Sequence, residues 1–295
     1  MDRQRLCRLE REIEIGLKEL YPEPWLPELT ALVAEWGWQT LRRSIGITAA
    51  DYGTGRVLAR SPEASRHVGA YLPILAGGGS SACDIMVEFL AEEWSGQYRD
   101  IGLTFYTPDE LVNSTVLECL EDAIDVLAQV PTLQKTAATL VQTCHILKPE
   151  DDAYDVSHSD PLVPFSIFVS VPQKRDLVDS LRFAESLVHE TMHLQLTLIE
   201  RLQPLVNASS QTYFSPWKNT HRSPQAILHA LYVFRVLDSF FERQLALPGW
   251  PVASVAHMRA RRCEIAQQIQ NIRTFKNHPA LTKLGTHLAG LLIFG

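Results

Sequence analysis

Apolar residues recur every three or four positions along most of the chain, with polar residues between them. This is the spacing of one face of an α-helix, and it predicts helices over much of the sequence. Residues 101–106 and 164–172 instead show alternation or β-branched and aromatic content, which favours strands. The predicted fold class is therefore mainly α with a small β-sheet (α+β). The predicted helices span residues 5–20, 27–45, 110–128, 133–144, 175–202, 223–244, 255–275 and 279–293.

A polar turn at residues 148–152, Lys-Pro-Glu-Asp-Asp, interrupts this pattern. Proline and charged residues in such a cluster are typical of an exposed turn. We interpret the turn as a border between two subdomains, residues 1–147 and residues 148–295. The glycine-rich residues 76–81 belong to the first subdomain. They lack the spacing of a phosphate-binding loop, so we expect them only to lead into a helix.

Composition narrows the class of protein further. With 295 residues, 46% of them hydrophobic, the chain can bury a large core. The net charge of −7 and the lack of a basic block argue against nucleic acid as a partner. No apolar run of about 18 residues occurs, and the amino terminus shows a charged helical pattern without an apolar core, so we expect neither a membrane span nor a signal peptide. Five scattered cysteines without C-x-x-C spacing favour reduced thiols and a cytoplasmic location.

The segment His189-Glu190-Thr191-Met192-His193 lies inside the predicted helix 175–202. Histidines four residues apart share one helical face, so both imidazoles can bind one metal ion. Glu190 lies about 100° around the helix from His189, where it can contact a water or substrate on that ion more easily than the ion itself. The motif therefore predicts a metal site with His189 and His193 as ligands and Glu190 as a base or an orienting residue.

Two histidines hold a catalytic metal poorly, so we expect a third ligand from another segment. The spacing that places a third histidine six residues after the motif fails, because Ile199 occupies that position. Glu200 lies about 10 Å along the helix axis from His193, too far to share the ion. His229 on the next apolar helix is our predicted third ligand, although it could instead be a hydrogen-bonded core histidine. The acidic alternatives on that helix are Asp238 and Glu242.

Four groups of residues together carry a resemblance to a known family. They are His189-Glu190-x-x-His193, Ser215-Pro216-Trp217-Lys218, Arg222-Ser223-Pro224 and His229-Ala230-x-Tyr232-x-Phe234. In this combination the chain resembles the HExxH-type 2-oxoglutarate-dependent peptide β-hydroxylases of ribosomal peptide natural-product pathways. The resemblance covers residues 157–244. The family usually has arginine after Ser-Pro-Trp and Arg-Pro further on, whereas this chain has Lys218 and Arg222-Ser223.

The resemblance implies iron(II) as the metal, 2-oxoglutarate as cosubstrate and a peptide, such as a ribosomal precursor peptide, as substrate. The implied reaction is hydroxylation at a Cβ of a peptide residue. Arg222 offers the two-pronged donor that the distal carboxylate of 2-oxoglutarate favours, and Lys218 can contribute a point charge. Residues 1–147 carry no recognised motif, and we expect them to serve substrate recognition.

Two other classes of function remain open from the residues alone. Three histidines are not the usual two-histidine, one-carboxylate set of non-haem iron enzymes, so the ligands do not select iron by themselves. A zinc-dependent peptidase would use the same motif, with Glu190 as the base that activates a metal-bound water. A protein whose metal only stabilises an interaction domain is the third interpretation.

The predicted strand 164–172 immediately precedes the predicted metal helix. We hypothesise that residues 166–171 form a sheet edge, to which an extended peptide substrate adds as a further strand. The alternative is a strand in the interior of a sheet. An interior strand already has partners on both sides and would offer no edge to a peptide.

Overall fold

A computed structural model describes residues 3–20, 22–45, 68–76, 83–90, 92–149, 155–160, 165–172 and 175–295. Most of these residues are helical, and a five-stranded sheet and a two-stranded hairpin accompany them, so the predicted class, mainly α with a small β-sheet, is confirmed. The helices are α1 Arg3–Lys18, α2 Pro27–Ile45, α3 Glu92–Arg99, α4 Pro108–Val112, α5 Val116–Ala128, α6 Pro131–Leu140, α7 Leu177–Leu202, α8 Pro224–Ala246, α9 Val252–Asn271 and α10 Lys283–Phe294, with a 3₁₀ helix at Phe275–Asn277. The strands are β1 Val68–Ala76, β2 Cys83–Leu90, β3 Thr143–Leu147, β4 Ser157–His158, β5 Ser166–Ser170, β6 Tyr213–Ser215 and β7 Thr220–Arg222. Within the described ranges, no helix is both long enough and apolar enough to cross a bilayer.

The chain forms two compact units. One, the terminal unit, consists of Met1–Val33 and Gln195–Gly295. The other, the sheet unit, consists of Ala34–Leu194. Helix α7 contains residues of both, because it continues past Leu194 to Leu202. The subdomain border between residues 147 and 148 stays a prediction.

The sheet unit contains a mixed five-stranded sheet in the order β1-β2-β3-β5-β4. β1 and β2 form an antiparallel pair that runs from Val68 opposite Leu90 to Ala76 opposite Cys83. β2, β3 and β5 are parallel neighbours, and β3 and β5 are buried at every position. β3 and β5 therefore form the core of the sheet.

Strand β5 has neighbours on both sides, so the hypothesis of a free edge at residues 166–171 is wrong. Ser166–Ser170 pairs with β3 along its whole length, and Phe168 and Val169 also pair with β4. The edge position on this side of the sheet belongs to β4, which contains only Ser157 and His158. The interior alternative is correct, and β5 does not offer a peptide-binding edge.

Strands β2 and β3 carry a buried ionisable pair. His145 Nε2 lies 3.2 Å from Glu88 Oε2, and both side chains are fully buried. The second ring nitrogen, Nδ1, lies 3.2 Å from the Glu88 carbonyl oxygen. The imidazole also stacks on Phe168 of β5, with ring centroids 4.3 Å apart. A buried charge is costly unless it is paired, so each of the two side chains depends on the other.

A capping box stabilises the start of α4. Thr107 Oγ1 accepts a hydrogen bond from Glu110 N at 3.3 Å, and the Glu110 carboxylate accepts one from Thr107 N at 2.9 Å. This reciprocal capping box, with proline at the first position, is a strong helix-start signal. Hydrogen bonds from Lys148 and Thr107 also lower the pKa of the Glu110 carboxyl to about 2.

Three predicted elements differ from the structure. The predicted helix 110–128 is two helices, α4 and α5, and the predicted helix 133–144 ends at Leu140. Thr143–Leu147 is strand β3, and the predicted strand 101–106 makes only an isolated bridge, between Phe105 and Leu147. A segment as short as β3 has too few residues for its periodicity to distinguish a buried strand from the end of a helix. The glycine-rich residues 77–81 lie outside the described residues.

A buried polar cluster in the terminal unit joins α7 to α8 and to the start of α2. Gln195 Nε2 donates to Trp25 O and to Thr30 Oγ1, both at 2.8 Å, and the Tyr232 hydroxyl donates to Gln195 Oε1. Burial raises the pKa of the Tyr232 hydroxyl, which therefore keeps its proton. Both N–H donors of the Gln195 side-chain amide and its oxygen thus have hydrogen-bond partners. Because Gln195 follows His193 by two residues, the cluster fixes the rotation of α7 next to the motif.

Close packing at Gly285 holds α10 against the segment that follows α7. Thr282, the cap of α10, donates from its backbone N to Leu205 O at 2.9 Å, and Val206 forms a bridge with Leu281. A Cβ added at Gly285 would lie 2.0 Å from Leu205 O. Such a contact is far inside van der Waals distance, so a side chain here requires the backbone to move.

We expect Gly285→Ala to lower the free energy of unfolding by about 1–3 kcal/mol, the usual cost of overpacking. The matched control is Gly290→Ala on the same helix, where a Cβ would meet nothing within 4 Å. Alanine there should leave stability unchanged or raise it by up to about 1 kcal/mol. Urea unfolding of both variants measures the difference, and equal stability of the two would contradict the packing described.

Candidate metal centre

His189 and His193 lie on one face of α7 with their rings together. Their Nε2 atoms are 3.2 Å apart, and the ring centroids are 4.9 Å apart. Two nitrogens that each bind one ion at about 2.1 Å, in adjacent tetrahedral or octahedral positions, lie about 3.0–3.4 Å apart. The observed separation therefore has the geometry of two ligands of a single metal ion.

The surrounding helix explains how this pair is positioned. Asp176 caps α7, because its Oδ1 accepts hydrogen bonds from the backbone N of Val178 at 2.8 Å and of Asp179 at 2.9 Å. The His189 side chain is 25% exposed, so solvent or a ligand can reach the ring. The apolar residues that flank the motif are buried and fix the helix face: Leu187, Val188, Met192 and Leu196.

Glu190 is the buried member of the motif, with a side chain only 4% exposed. Its Oε1 lies 3.9 Å from His189 Nε2. This distance is too long for a hydrogen bond but short enough for the carboxylate to contact a water or ligand bound beside that nitrogen. The position fits both predicted roles of Glu190, orienting residue and base, and does not choose between them.

His229 lies on α8 in the terminal unit, near the helix start that Ser223 caps. Its Nε2 is 2.9 Å from Glu200 Oε2, and the same oxygen accepts a hydrogen bond from Gln225 Nε2 at 2.7 Å. Sequence spacing excludes Glu200 as a ligand of the ion at His193 but carries no signal for this contact, because its partners lie 25 and 29 residues further along the chain. Glu200 is thus a partner of His229 that sequence reasoning missed.

The acidic alternatives to His229 are engaged in ion pairs. Asp238 Oδ1 lies 2.7 Å from Arg262 Nε, and Asp238 Oδ2 lies 3.4 Å from Arg235 Nη1. Glu242 Oε1 lies 3.0 Å from Arg262 Nη2. A metal ion at either carboxylate would have to replace these guanidinium contacts. The structure therefore gives Asp238 and Glu242 a structural role on α8 and α9.

Lys218 and Arg222, the two residues predicted to bind the 2-oxoglutarate cosubstrate, lie in a β-hairpin of the terminal unit. β6 and β7 pair from Tyr213 opposite Arg222 to Ser215 opposite Thr220, so Lys218 is in the turn and Arg222 ends the hairpin. Trp217 in the turn stacks on Phe234 of α8, with ring centroids 5.1 Å apart. Both cations are exposed, and neither side chain has a hydrogen-bond or ion-pair partner among the residues described. They are available to an anionic ligand.

Each unit contains only some of the predicted metal ligands. His189 and His193 belong to the sheet unit, and His229 belongs to the terminal unit. Over the described ranges of the chain, no group of three or more His, Cys, Asp or Glu side chains is arranged around one point. The histidine pair on α7 fits a metal ion in spacing and donor type, and the three-histidine set stays a prediction.

The sequence matches no protein-family model and no curated protein. The resemblance to the HExxH-type peptide β-hydroxylases therefore rests on the residues that carry it and stays a prediction. What the structure adds is local geometry: a histidine pair at ligand spacing, a buried glutamate beside it, and a hairpin with two cations that lack partners among the described residues. Any functional proposal has to start from these three features.

We expect His193→Ala to abolish stoichiometric metal binding without unfolding the protein, because the two remaining predicted ligands hold a divalent ion poorly. Equilibrium dialysis with metal analysis measures the stoichiometry, and thermal melting of the metal-free protein checks the fold. His287→Ala, an exposed histidine on α10, is the control and should bind as wild type. His229→Ala should behave like His193→Ala, whereas full metal retention there would remove His229 from the site.

Proposed function

We propose that this protein is an iron(II)- and 2-oxoglutarate-dependent oxygenase that hydroxylates a Cβ position in a peptide substrate. The observation that supports it most is the 3.2 Å separation of His189 Nε2 and His193 Nε2 on one helical face. The proposed ligand set is His189, His193 and His229. A bound iron(II) ion would supply the chemistry by which peptide C–H, dioxygen and 2-oxoglutarate become peptide C–OH, succinate and carbon dioxide.

The role of Arg222 is to hold the distal carboxylate of 2-oxoglutarate. A guanidinium donates two parallel hydrogen bonds to a carboxylate, and Arg222 has no partner for them among the described residues. Lys218, four residues earlier in the same hairpin, adds a second positive charge. The stacking of Trp217 on Phe234 keeps this hairpin on α8, the helix that carries His229.

Glu190 acts as an orienting residue in this proposal. Its Oε1 lies 3.9 Å from His189 Nε2, near enough to contact a ligand bound beside that nitrogen. The Glu190 side chain is only 4% exposed. Glu190 is then not required to remove a proton from water, since hydroxylation by this route does not use water as a nucleophile.

The proposed substrate is a peptide, such as a ribosomal precursor peptide of a natural-product pathway, and the proposed location is the cytoplasm. The described cysteines support a reducing compartment, because Cys7, Cys119, Cys144 and Cys263 are all free thiols. Residues 1–147 remain the proposed region of substrate recognition. Since β5 is an interior strand, the peptide has to bind elsewhere than along its edge.

The direct test is turnover with defined cosubstrates. Protein loaded with iron(II) and kept reduced with ascorbate is incubated with 2-oxoglutarate and candidate precursor peptides, and peptide mass and succinate are followed. The expected result is a gain of one oxygen in the peptide with an equal amount of succinate. Cleaved peptide formed without keto acid or dioxygen would replace this proposal with a peptidase.

We expect Arg222→Leu to raise the KM for 2-oxoglutarate by about 10–100-fold, because a charge-assisted hydrogen bond contributes about 1.5–3 kcal/mol. Succinate formation at varied 2-oxoglutarate concentration gives the KM. Arg273→Leu, which removes another exposed arginine of the terminal unit, is the matched control and should leave it unchanged. An unchanged KM in Arg222→Leu together with a raised KM in Lys218→Met would transfer the role to Lys218.

A zinc-dependent peptidase is the second candidate, and the position of Glu190 is the observation that keeps it open. A carboxylate 3.9 Å from the His189 Nε2 atom can also activate a metal-bound water. Glu190→Gln separates the two candidates. The oxygenase should keep substantial turnover and unchanged metal stoichiometry, whereas a peptidase should lose nearly all activity because its base is gone.

A further inference from the structure

Positive charge is concentrated in the segment that follows α7. Residues 203–295 contain ten lysine and arginine residues and three aspartate and glutamate residues, although acidic residues outnumber basic ones in the whole chain, 34 to 27. The three acids are in ion pairs with arginines of the same segment: Asp238 and Glu242 with Arg262, and Glu264 with Arg261. Six cations have no ion-pair partner among the residues described: Lys218, Arg222, Arg259, Arg273, Lys276 and Lys283. Their charge is available to an anion from outside the unit.

The 3₁₀ turn after α9 brings two of these cations together. A hydrogen bond of 2.9 Å from Phe275 N to Ile272 O tightens the chain just before the 3₁₀ helix Phe275–Asn277. Side chains three positions apart lie on the same side of such a turn. Ile272 and Phe275 are on the inner side and are fully buried. Arg273 and Lys276 have the same spacing and therefore share another side, where Arg273 is exposed and Lys276 half-buried.

An exposed aromatic ring lies beside these two charges. Lys276 Nζ is 4.5 Å from the centroid of the Phe294 ring, a cation–π contact that orders the ammonium group at the surface. Phe294 is 57% exposed. We call Arg273, Lys276 and Phe294 the basic patch. It offers two positive charges next to an apolar surface.

Tyr213 attaches the basic patch to the hairpin formed by β6 and β7. The Tyr213 hydroxyl lies 2.7 Å from Thr274 Oγ1, and the Tyr213 ring packs on Phe275 with centroids 5.2 Å apart. Tyr213 is also the cross-strand partner of Arg222, and cross-strand partners have their side chains on one face of a hairpin. Arg222, the proposed anchor of 2-oxoglutarate, is therefore on the hairpin face that meets the segment of the basic patch.

An acidic peptide segment suits the basic patch better than a nucleic acid does. The Arg273 guanidinium can donate two parallel hydrogen bonds to one carboxylate, and Lys276 can pair with a second. The Phe294 ring can cover a neighbouring apolar side chain. Nucleic acids bind through many phosphate contacts along the strand, whereas the patch supplies two cations. The net charge of −7 on the whole chain also repels a long polyanion.

We propose that the basic patch binds an acidic segment of the peptide substrate and holds the peptide beside the anchor of the cosubstrate. The inference rests on the proposed function in one respect, because it takes the bound peptide to be the substrate. It narrows the substrate class to peptides that carry Asp or Glu next to an apolar residue. It also adds a recognition surface to the one proposed for residues 1–147.

Fluorescence anisotropy with a labelled octapeptide tests the patch without metal, cosubstrate or turnover. The probe is Gly-Ser-Glu-Leu-Glu-Leu-Ser-Gly, and the comparison peptide has glutamine in place of both glutamates. The acidic peptide should bind saturably, more weakly as salt is added, and the glutamine peptide should bind much more weakly. Absence of saturable binding, or equal affinity for the two peptides, would overturn the proposal.

The double variant Arg273→Gln/Lys276→Gln should weaken binding of the acidic peptide by about 5–30-fold, because two exposed ion pairs are lost. The matched control is Arg259→Gln/Lys135→Gln, which removes the same charge from exposed residues of α9 and α6 and should bind close to wild type. An equal loss in the control would reduce the effect to net charge and overturn the patch. Thermal melting checks that both variants are folded.

A short oligothymidylate in the same assay tests nucleic acid as the occupant. It should bind more weakly than the acidic peptide. Tighter binding of the oligonucleotide that is lost in Arg273→Gln/Lys276→Gln would overturn the peptide as occupant and assign the patch to nucleic acid.

Turnover separates this inference from the proposed function. With a precursor peptide that contains such a segment, Arg273→Gln/Lys276→Gln should raise the KM for the peptide and leave the KM for 2-oxoglutarate unchanged, the reverse of Arg222→Leu. Peptide binding at the patch without any hydroxylation would refute the proposed function and leave the patch standing. Hydroxylation with an unchanged peptide KM in the double variant would overturn the inference and leave the proposed function standing.

Discussion

The approach of two imidazole nitrogens on one face of α7 is the interaction on which the candidate site depends. At 3.2 Å, His189 Nε2 and His193 Nε2 face each other directly. Two lone pairs in this position repel, and a shared proton or a metal ion relieves that repulsion. A divalent ion does so for both nitrogens at once. The pair therefore has the spacing expected of two ligands of one metal ion.

Burial around the pair makes this geometry stable. Helix α7 is fixed by apolar residues on both sides of the motif and by Gln195, whose amide is fully hydrogen-bonded to Trp25, Thr30 and Tyr232. Rotation of the helix would break this cluster and expose the apolar face. A site built on a helix held in this way is preorganised, so little energy is lost in ordering ligands when a metal binds.

The sequence predicts best what depends on neighbouring residues. The caps Thr107 and Ser223 mark the starts of α4 and α8 locally, because each capping side chain accepts a hydrogen bond from the backbone N–H three residues ahead. Strand β3 escapes prediction because it has only five residues, and its pairing with β2 and β5 depends on segments that are distant in sequence. The same limit applies to the site. The histidine pair is a local pattern, whereas Glu200 beside His229 depends on how α7 and α8 pack.

Metal identity decides between the oxygenase and the peptidase before any substrate is known, because both use the same motif but different ions. The measurement is elemental analysis of protein purified without oxygen and without added metal, with protein concentration determined on the same sample. The account predicts about one iron per chain, with zinc far below that level, as expected for a site that binds one catalytic ion. Zinc at about one per chain with iron at background would contradict it.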